Sequence, residues 1–304
     1  MSRTRGLQTP VKWGDPDRNR AGIAPFDGGL HQPGRLAAAT LTLVVGGILW
    51  GGGVGGTPAI AASAVPPPVN APVSYQLGGA YSPEFGTGIV IRDSTARPTA
   101  GSYNICYLNG FQTQPDQTRW WKRHHRDLLL RKSGRYVVDG QWNEVLLDTS
   151  TAKKRRAIAR IIGRSVDACA SKGFGAAEFD NLDSYQRSRG RLTKRNSLAM
   201  AKLLVSRAHS RGLAAGQKNA SELGSSARRT AGYDFAIAEE CERYRECDTY
   251  TRVYGNRVIE VEYTDYSIAI YQRACTARGA DMSIVLRDRL LVPAGAPGYR
   301  YEQC

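Results

Sequence analysis

Short apolar segments that end in polar residues recur along the chain, and this repetition limits the possible folds more than any other feature. Eight such segments are present, at residues 74–81, 88–93, 103–109, 175–181, 213–219, 234–240, 257–265 and 281–288. Helical patterns separate the later segments, as in residues 151–173, where Gly173 suits a helix C-terminus. Strands that alternate with helices predict a parallel sheet covered by helices, and eight repeats favour a (β/α)8 TIM-type barrel.

Two features of the pattern fit the barrel less well. Residues 144–150 read as a ninth strand, and few helical residues separate the first three strands. A doubly wound open sheet is therefore the competing architecture.

Residues 1–64 lie outside this repeat and are predicted to be a secretory signal peptide. A basic, polar start leads into the apolar residues 36–50, and small-residue cleavage patterns follow at 59–61 and 62–64. A retained membrane anchor is the alternative, because residues 36–54 are nearly long enough to span a bilayer. Residues 65–73, VPPPVNAPV, are predicted to be an extended proline-rich linker. The remaining residues, 74–304, would form one secreted, extracellular domain, which reaches a membrane only if the N-terminal segment is retained.

The cysteines agree with export. There are six, all after residue 64: Cys106, Cys169, Cys241, Cys247, Cys275 and Cys304. An even count in an exported chain favours a disulfide-stabilised domain over metal ligands. Cys241 and Cys247 form the most local pair, and the other pairings stay open.

The chain is strongly basic. Its 42 Lys and Arg against 27 Asp and Glu give a formal net charge of +15. Six of the basic and three of the acidic residues lie in 1–64, so 36 and 24 remain in 65–304. The basic residues cluster in predicted helices, which is typical of a solvated helix face, and no nucleic-acid-binding motif is present. We therefore expect no nucleic-acid partner, although a basic cell-envelope adhesion protein that binds anionic polymers stays possible.

Carboxylates recur at the ends of the predicted strands, where a barrel places its reacting groups. Because side chains alternate along a strand, Glu178 and Asp180 share one face, and so do Glu260 and Glu262. Glu239 shares a face with Phe235 and Ile237 of its own strand. When carboxyl groups lie close together, their pKa values move apart, so that one group can donate a proton while another stays ionised. Glycoside hydrolysis requires this division of roles.

Other chemistries are less well supported. A metal site at Asp180 and Asp183 would lack histidines at ligand spacing, so we expect no metal and no cofactor. No G-x-S-x-G motif is present, and the cysteines are expected to be oxidised. Tyrosines near the strand ends, including Tyr107 and Tyr263, can stack on sugar rings or pack in the core.

The order and spacing of these segments resemble a known family. The motifs are YQL at 75–77, ICYLN at 105–109, EFDNLDSY at 178–185, GQKN at 216–219, AEEC at 238–241, EVEYTD at 260–265 and LRD at 286–288. Together they resemble glycoside hydrolase family 114, which contains endo-α-1,4-polygalactosaminidases. The resemblance implies a TIM-type barrel that hydrolyses α-1,4-linked galactosamine polymers.

Carried over by motif, the catalytic residues of the family fall on Asp180 and Glu239. The family often has proline and asparagine where this chain has Phe179 and Ala238, so Glu240 stays an alternative to Glu239. We expect Asp180 as nucleophile and Glu239 as acid/base in a retaining, monomeric enzyme whose partner is the polysaccharide. The residues expected to tune pKa values or hold substrate are Tyr107, Glu178, Asp183, Lys218, Asn219, Glu240, Glu260, Glu262 and Tyr263. A carbohydrate-binding barrel without activity is the rival hypothesis.

Overall fold

The computed structural model describes residues 64–304. In chain order the strands are β1 Val73–Gln76, β2 Ile89–Asp93, β3 Tyr103–Asn109, β4 Arg131–Lys132, β5 Arg135–Tyr136, β6 Val138–Asp139, β7 Glu144–Val145, β8 Ala176–Asp180, β9 Ala214–Lys218, β10 Phe235–Glu239, β11 Val258–Tyr263, β12 Ser283–Arg287 and β13 Tyr301–Gln303. The α-helices are α1 Thr118–His124, α2 Ala152–Lys172, α3 Ser184–Arg187, α4 Lys194–Ser210, α5 Cys241–Tyr244, α6 Cys247–Tyr254 and α7 Ile268–Arg278. Short 3₁₀ turns lie at Arg126–Leu128 and Ser221–Leu223, and a π-helical turn at Ala227–Ala231.

One nine-stranded sheet forms the body of the domain. Its order is β1-β2-β3-β8-β9-β10-β11-β12-β13, and every pair is parallel except β12 with β13. At the seam, the Gln303 side chain on β13 accepts a hydrogen bond from the Val73 amide on β1 at 2.9 Å. Arg287 on β12 donates to the carbonyl of Tyr75 on β1. The sheet therefore nearly closes, which confirms the TIM-type barrel.

Alternating side chains give the sheet two apolar faces. One set fills the barrel interior and includes Ile91, Ile105, Phe235 and Val285. A Cβ on Gly216 would lie 2.7 Å from the side chains of Phe235 and Ile237, so the interior has room only for glycine at this point of β9. The other set, on the outside, packs against the helices.

The two longest helices have well-defined ends. Thr151 caps α2 by accepting a hydrogen bond from the Lys154 amide, and Gly173 ends the helix in the left-handed conformation, as the sequence predicts. Thr193 and Asn196 form a reciprocal capping box at the start of α4. Both helices lie on the outside of the barrel, next to β3, β8 and β9.

The barrel departs from eight regular repeats where the sequence pattern is weakest. Neither the connection from β1 to β2 nor that from β2 to β3 contains a helix. The ninth candidate strand is extra to the barrel: within residues 144–150 only β7 forms, and it pairs with β6 outside the main sheet. The long connection from β3 to α2 holds β4 to β7 and α1, and its Glu144 accepts a hydrogen bond from Asn109 at the end of β3.

All six cysteines form disulfides, as predicted. The pairs are Cys106 with Cys169, Cys241 with Cys247, and Cys275 with Cys304. They join β3 to α2, α5 to α6, and α7 to the residue after β13, so the local pair expected from the sequence is confirmed.

The predicted signal peptide or anchor, residues 1–64, lies almost wholly outside the described part of the chain. From residue 64 onward, no helix combines the length and the apolar character needed to span a bilayer.

Candidate active site

Three neighbouring strands each end in a charged residue, and together these residues form the candidate site. Asp180 is the last residue of β8, Lys218 of β9 and Glu239 of β10. Asn181, Asn219 and Glu240, the residues that follow, have left-handed backbones with φ of 66°, 49° and 58°. Such φ values are uncommon outside glycine and cluster at functional sites. They turn the chain sharply at the point where each charged side chain leaves the strand.

Lys218 lies at the centre of this group, and its side chain is almost fully buried. Its Nζ is 3.2 Å from Glu178 Oε1, 3.4 Å from Glu239 Oε1 and 3.7 Å from Asp180 Oδ2. The ammonium also donates to the hydroxyl of Tyr75 at 2.6 Å. Burial acts to lower the pKa of Lys218, but the three carboxylates outweigh it and raise the pKa well above its ordinary value. The lysine is therefore a permanent cation.

Glu239 is held by hydrogen bonds to both of its oxygens. Tyr263 donates its hydroxyl to Oε1 at 2.5 Å, and Asn219 donates its side-chain amide to Oε2 at 3.0 Å. The Asn219 carbonyl oxygen in turn accepts from the Glu239 backbone amide at 2.8 Å. Burial acts to raise the pKa of Glu239, yet the charge of Lys218 and these two donors bring it below its ordinary value. Glu239 is thus ionised at neutral pH in the free protein.

Asp180 is oriented by donors on both sides. The hydroxyl of Tyr107 donates to Oδ2 at 2.7 Å, and the Asn181 backbone amide donates to Oδ1 at 2.6 Å. Glu144, from the connection between β3 and α2, accepts the side-chain amide of Asn181 at 3.2 Å and that of Asn109 at 2.8 Å. Burial, followed by the charge of Asp180, raises the pKa of Glu144 to about 8. A neutral carboxylic acid therefore lies next to an oriented aspartate.

Glu178 lies one pleat deeper in the barrel than Asp180, and its side chain has no exposure. Tyr75 donates its hydroxyl to Oε1 at 3.0 Å, while Oε2 has no hydrogen-bond partner within residues 64–304. Burial raises the pKa of Glu178 to about 7, against the opposing charge of Lys218. Glu178 can therefore adjust the charge of the site but lies too deep to contact a substrate.

Four of the sequence-predicted residues lie apart from this group. Tyr263 faces the interior, so Glu260 and Glu262 on the same strand face outward; Arg278 binds Glu260 at 3.1 Å, and Glu262 accepts the Glu242 amide at 3.0 Å. Asp183 pairs with Arg187 at 2.6 Å. Glu240 pairs with Arg243 and Arg289, each at less than 3 Å, instead of with Lys218.

Burial also raises the pKa values of Glu260 and Glu262, the two glutamates that face outward from β11. It raises the pKa of Glu260 to about 7 and, with the charge of Glu260, the pKa of Glu262 to about 8. Cys241 and Cys247 lie close to Glu260, but they are joined in a disulfide and so cannot act as metal ligands there.

Sequence reasoning missed three contributors. Tyr75 is an inward residue of β1, and the period-2 rule applied to that strand would have found it. Arg289 stacks on the ring of Tyr263, with its guanidinium carbon 3.9 Å from the ring centroid. Glu144 comes from an irregular connection, and no periodic signal points to it.

Comparisons with known proteins agree with this geometry. Residues 55–304 match the sequence profile of the Glycoside-hydrolase family GH114. Among solved structures, Aspergillus fumigatus Ega3 in complex with galactosamine is similar at 22% identity and a TM-score of 0.63, covering 81% of this chain and 100% of that one. The glycoside hydrolase domain of PelA from Pseudomonas aeruginosa is similar at 14% identity and a TM-score of 0.54, covering 74% of this chain and 97% of that one. No curated protein sequence matches significantly. At these identities the two structures establish a common fold.

Proposed function

The chain belongs to glycoside hydrolase family GH114, and from this premise we propose that it cleaves a galactosamine-containing polysaccharide, with Asp180 and Glu239 as the reacting carboxylates. The observation that carries the proposal is the arrangement of these two side chains around Lys218 at adjacent strand ends. The substrate class follows from the family and from Ega3, whose structure contains galactosamine. An α-1,4 linkage is the one expected from the resemblance of the sequence motifs.

The distances of the two carboxylates from Lys218 are compatible with a retaining mechanism. Asp180 Oδ2 and Glu239 Oε1 lie 3.7 Å and 3.4 Å from the same nitrogen, so these oxygens are at most 7.1 Å apart, the sum of the two distances. Retaining glycosidases have carboxyl groups about 5–5.5 Å apart, and inverting enzymes about 6.5–9.5 Å. The maximum of 7.1 Å includes every separation found in retaining enzymes, but only the shortest separations found in inverting enzymes.

In the proposed reaction, Asp180 attacks the anomeric carbon while the bond to the leaving oxygen breaks and Glu239 gives that oxygen a proton. Glu239 then takes a proton from water as the water attacks the same carbon, and Asp180 is released. Because the pKa of Glu239 is low in the free protein, the first step requires proton uptake on binding. A sugar ring that excludes water from Glu239 raises its pKa by desolvation.

The charge of the site suits a cationic amino sugar. Three carboxylates, Glu178, Asp180 and Glu239, surround the single ammonium of Lys218. Glu240 is neutralised by two arginines, which supports Glu239 as the second carboxylate. We further propose that the enzyme acts outside the cell, because its three disulfides persist in oxidising compartments.

Hydrolysis of a defined substrate tests the proposal. The full chain and its Asp180→Asn and Glu239→Gln variants are incubated with partly deacetylated α-1,4-galactosamine oligomers, and the products are analysed by mass spectrometry. We expect shorter oligomers from the parent alone. Binding without product release by the parent would refute the hydrolase proposal in favour of a carbohydrate-binding barrel.

An activated aryl glycoside with added azide separates the two roles. A variant without its acid/base still reacts with a good leaving group, and azide replaces the water that needs a general base. We therefore expect azide to accelerate Glu239→Gln and to yield a glycosyl azide of retained configuration, while Asp180→Asn stays inactive. The reverse result would exchange the roles.

A further inference from the structure

The excess positive charge of the domain is concentrated on two helices. α2 and α4 carry 11 of the 36 basic residues in 65–304 but only one of the 24 acidic residues, Asp167. Their net charge of +10 accounts for nearly all of the +12 of this part of the chain. The remainder of the domain is therefore close to neutral.

The exposed side chains of these helices form one surface, the basic face, defined as Lys153, Arg156, Arg160 and Arg164 on α2 with Arg195, Lys202 and Arg207 on α4. Spacings of three and four residues place the four α2 side chains on one stripe, which runs about 16 Å along the helix. α2 and α4 pack together at Gly163, where an added Cβ would meet the Arg207 side chain at 3.5 Å. The two helices thus present a continuous surface.

Little on the protein itself neutralises this surface. Asp167 pairs with Arg207 and Arg211. Within residues 64–304, no carboxylate oxygen lies within 4.0 Å of a charged nitrogen of the other six basic-face residues. Like charges kept this close repel one another, and a bound polyanion would relieve the repulsion.

The basic face is separate from the candidate active site. α2 and α4 cover the outer surfaces of β3, β8 and β9, whereas Asp180, Lys218 and Glu239 project at the strand ends. The domain therefore has a carboxylate-rich active site that suits a cationic chain and, on its side, the positively charged basic face. A basic protein can therefore act on a basic substrate, because its excess positive charge lies away from the active site.

We propose that the basic face binds a linear anionic polysaccharide, such as a uronic acid polymer, while the active site works on a different chain. Between the basic residues, the exposed positions of α2 and α4 are Ala152, Ala168, Ser171, Ser206 and Ser210, with no large apolar side chain. Helices that lie in a membrane surface bury apolar side chains in it, so a lipid surface fits less well. Neither α2 nor α4 carries a Phe, Tyr or Trp side chain to stack on bases, so single-stranded nucleic acid fits less well too.

Affinity chromatography on immobilised alginate, a polyuronate, tests this proposal with the full chain. The test variant carries Arg156→Gln, Arg160→Gln and Lys202→Gln, and the matched control carries Arg123→Gln, Arg126→Gln and Arg229→Gln at exposed sites elsewhere. Because ionic contacts set the salt dependence of polyanion binding, we expect the test variant to lose about tenfold or more in affinity at low salt and to elute at lower NaCl. The control should elute with the parent.

Soluble galactosamine oligomers, double-stranded DNA and phosphatidylglycerol vesicles complete the experiment. Unchanged oligomer hydrolysis by the test variant would show that it is folded and that the basic face acts apart from the active site. The binding result stands even if the parent proves inactive on those oligomers, so the two proposals fail separately. No alginate binding, equal loss in the control, or tighter binding to DNA or vesicles than to alginate would overturn the proposal.

Discussion

Lys218→Met removes the one positive charge at the centre of three carboxylates, and we expect a pH-dependent loss of stability. At an effective dielectric constant of about 20, unit charges roughly 3.4 Å apart attract by about 5 kcal/mol. Desolvation of the lysine offsets part of this attraction, and removal of one partner from a buried ion pair costs about 3–5 kcal/mol. In a domain of this size each kcal/mol lowers the Tm by about 2–4 °C, so we expect a loss of about 10 °C or more at pH 8.

The size of this loss depends on which carboxylates are charged. In the parent, Glu178 has a pKa of about 7, so at pH 5 it is already neutral and loses no ion pair with the lysine. Without Lys218, the pKa of Glu178 rises further above that of the unfolded chain, and the pKa of Glu239 rises because it loses the positive charge that lowers it. The folded variant then binds more protons than the unfolded chain, and its stability falls as the pH rises. The difference between parent and variant must therefore widen from pH 5 to pH 8.

Calorimetry of the parent, Lys218→Met and Lys202→Met at both pH values measures this difference. Lys202 is exposed on α4, so its replacement controls for the loss of a lysine and should shift the Tm by little at either pH. An equal Tm loss for Lys218→Met at pH 5 and pH 8 would refute the reasoning, because it would mean that the lysine stabilises the fold by packing alone.

Three other changes give measurable results. Tyr263→Phe removes the 2.5 Å hydrogen bond to Glu239, so the pKa of that carboxyl should rise by about one unit. Because Glu239 must be protonated to act as the acid, the alkaline limb of the kcat/KM profile should move to higher pH; an unmoved limb would exclude Glu239 from that limb. Glu144→Gln should remove the part of the rate change that is centred near pH 8, because ionisation of Glu144, with its pKa of about 8, places a charge next to Asp180; a profile like that of the parent would contradict this. Cys106→Ser opens a disulfide that spans 63 residues, and denaturant unfolding should show a loss of roughly 4 kcal/mol, about twice the loss for Cys247→Ser, whose loop spans 6; equal losses would show that loop length does not set the effect.

The sequence predicts the barrel well because parallel strands buried on both faces leave a strong, repeated apolar pattern. Every one of the eight predicted segments contains a barrel strand, with bounds that differ by a few residues. The pattern is ambiguous at residues 144–150, because an apolar run whose Val145 and Leu147 pack in the core outside the barrel looks the same as a barrel strand. It also cannot show β13, whose three residues are placed by the seam between β12 and β1.

Site residues on a strand can be predicted when one residue of that strand is known to face the barrel interior, because every second side chain then faces the same way. Phe235 and Ile237 face the barrel interior, and the same phase brings Glu239 to the mouth. The rule fails for Glu260 and Glu262, because period 2 shows that they share a face but not which face is inward. Tyr263 lies one residue from Glu262 and three from Glu260, so its inward position shows that both glutamates face outward. Glu144 and Arg289 reach the site from connections, whose paths depend on tertiary packing.

The buried ammonium of Lys218 also affects how the barrel assembles. Its counter-charges come from β8 and β10, the strands on either side of β9, and its hydroxyl partner Tyr75 comes from β1 across the interior. In a partial barrel made of β8 and β9 alone, the Lys218 ammonium would lack the carboxylate of Glu239. It would then either stay exposed to water or be buried with too few counter-charges. Folding intermediates that stop short of β10 are therefore disfavoured, and the charged cluster makes the closing of the barrel more cooperative.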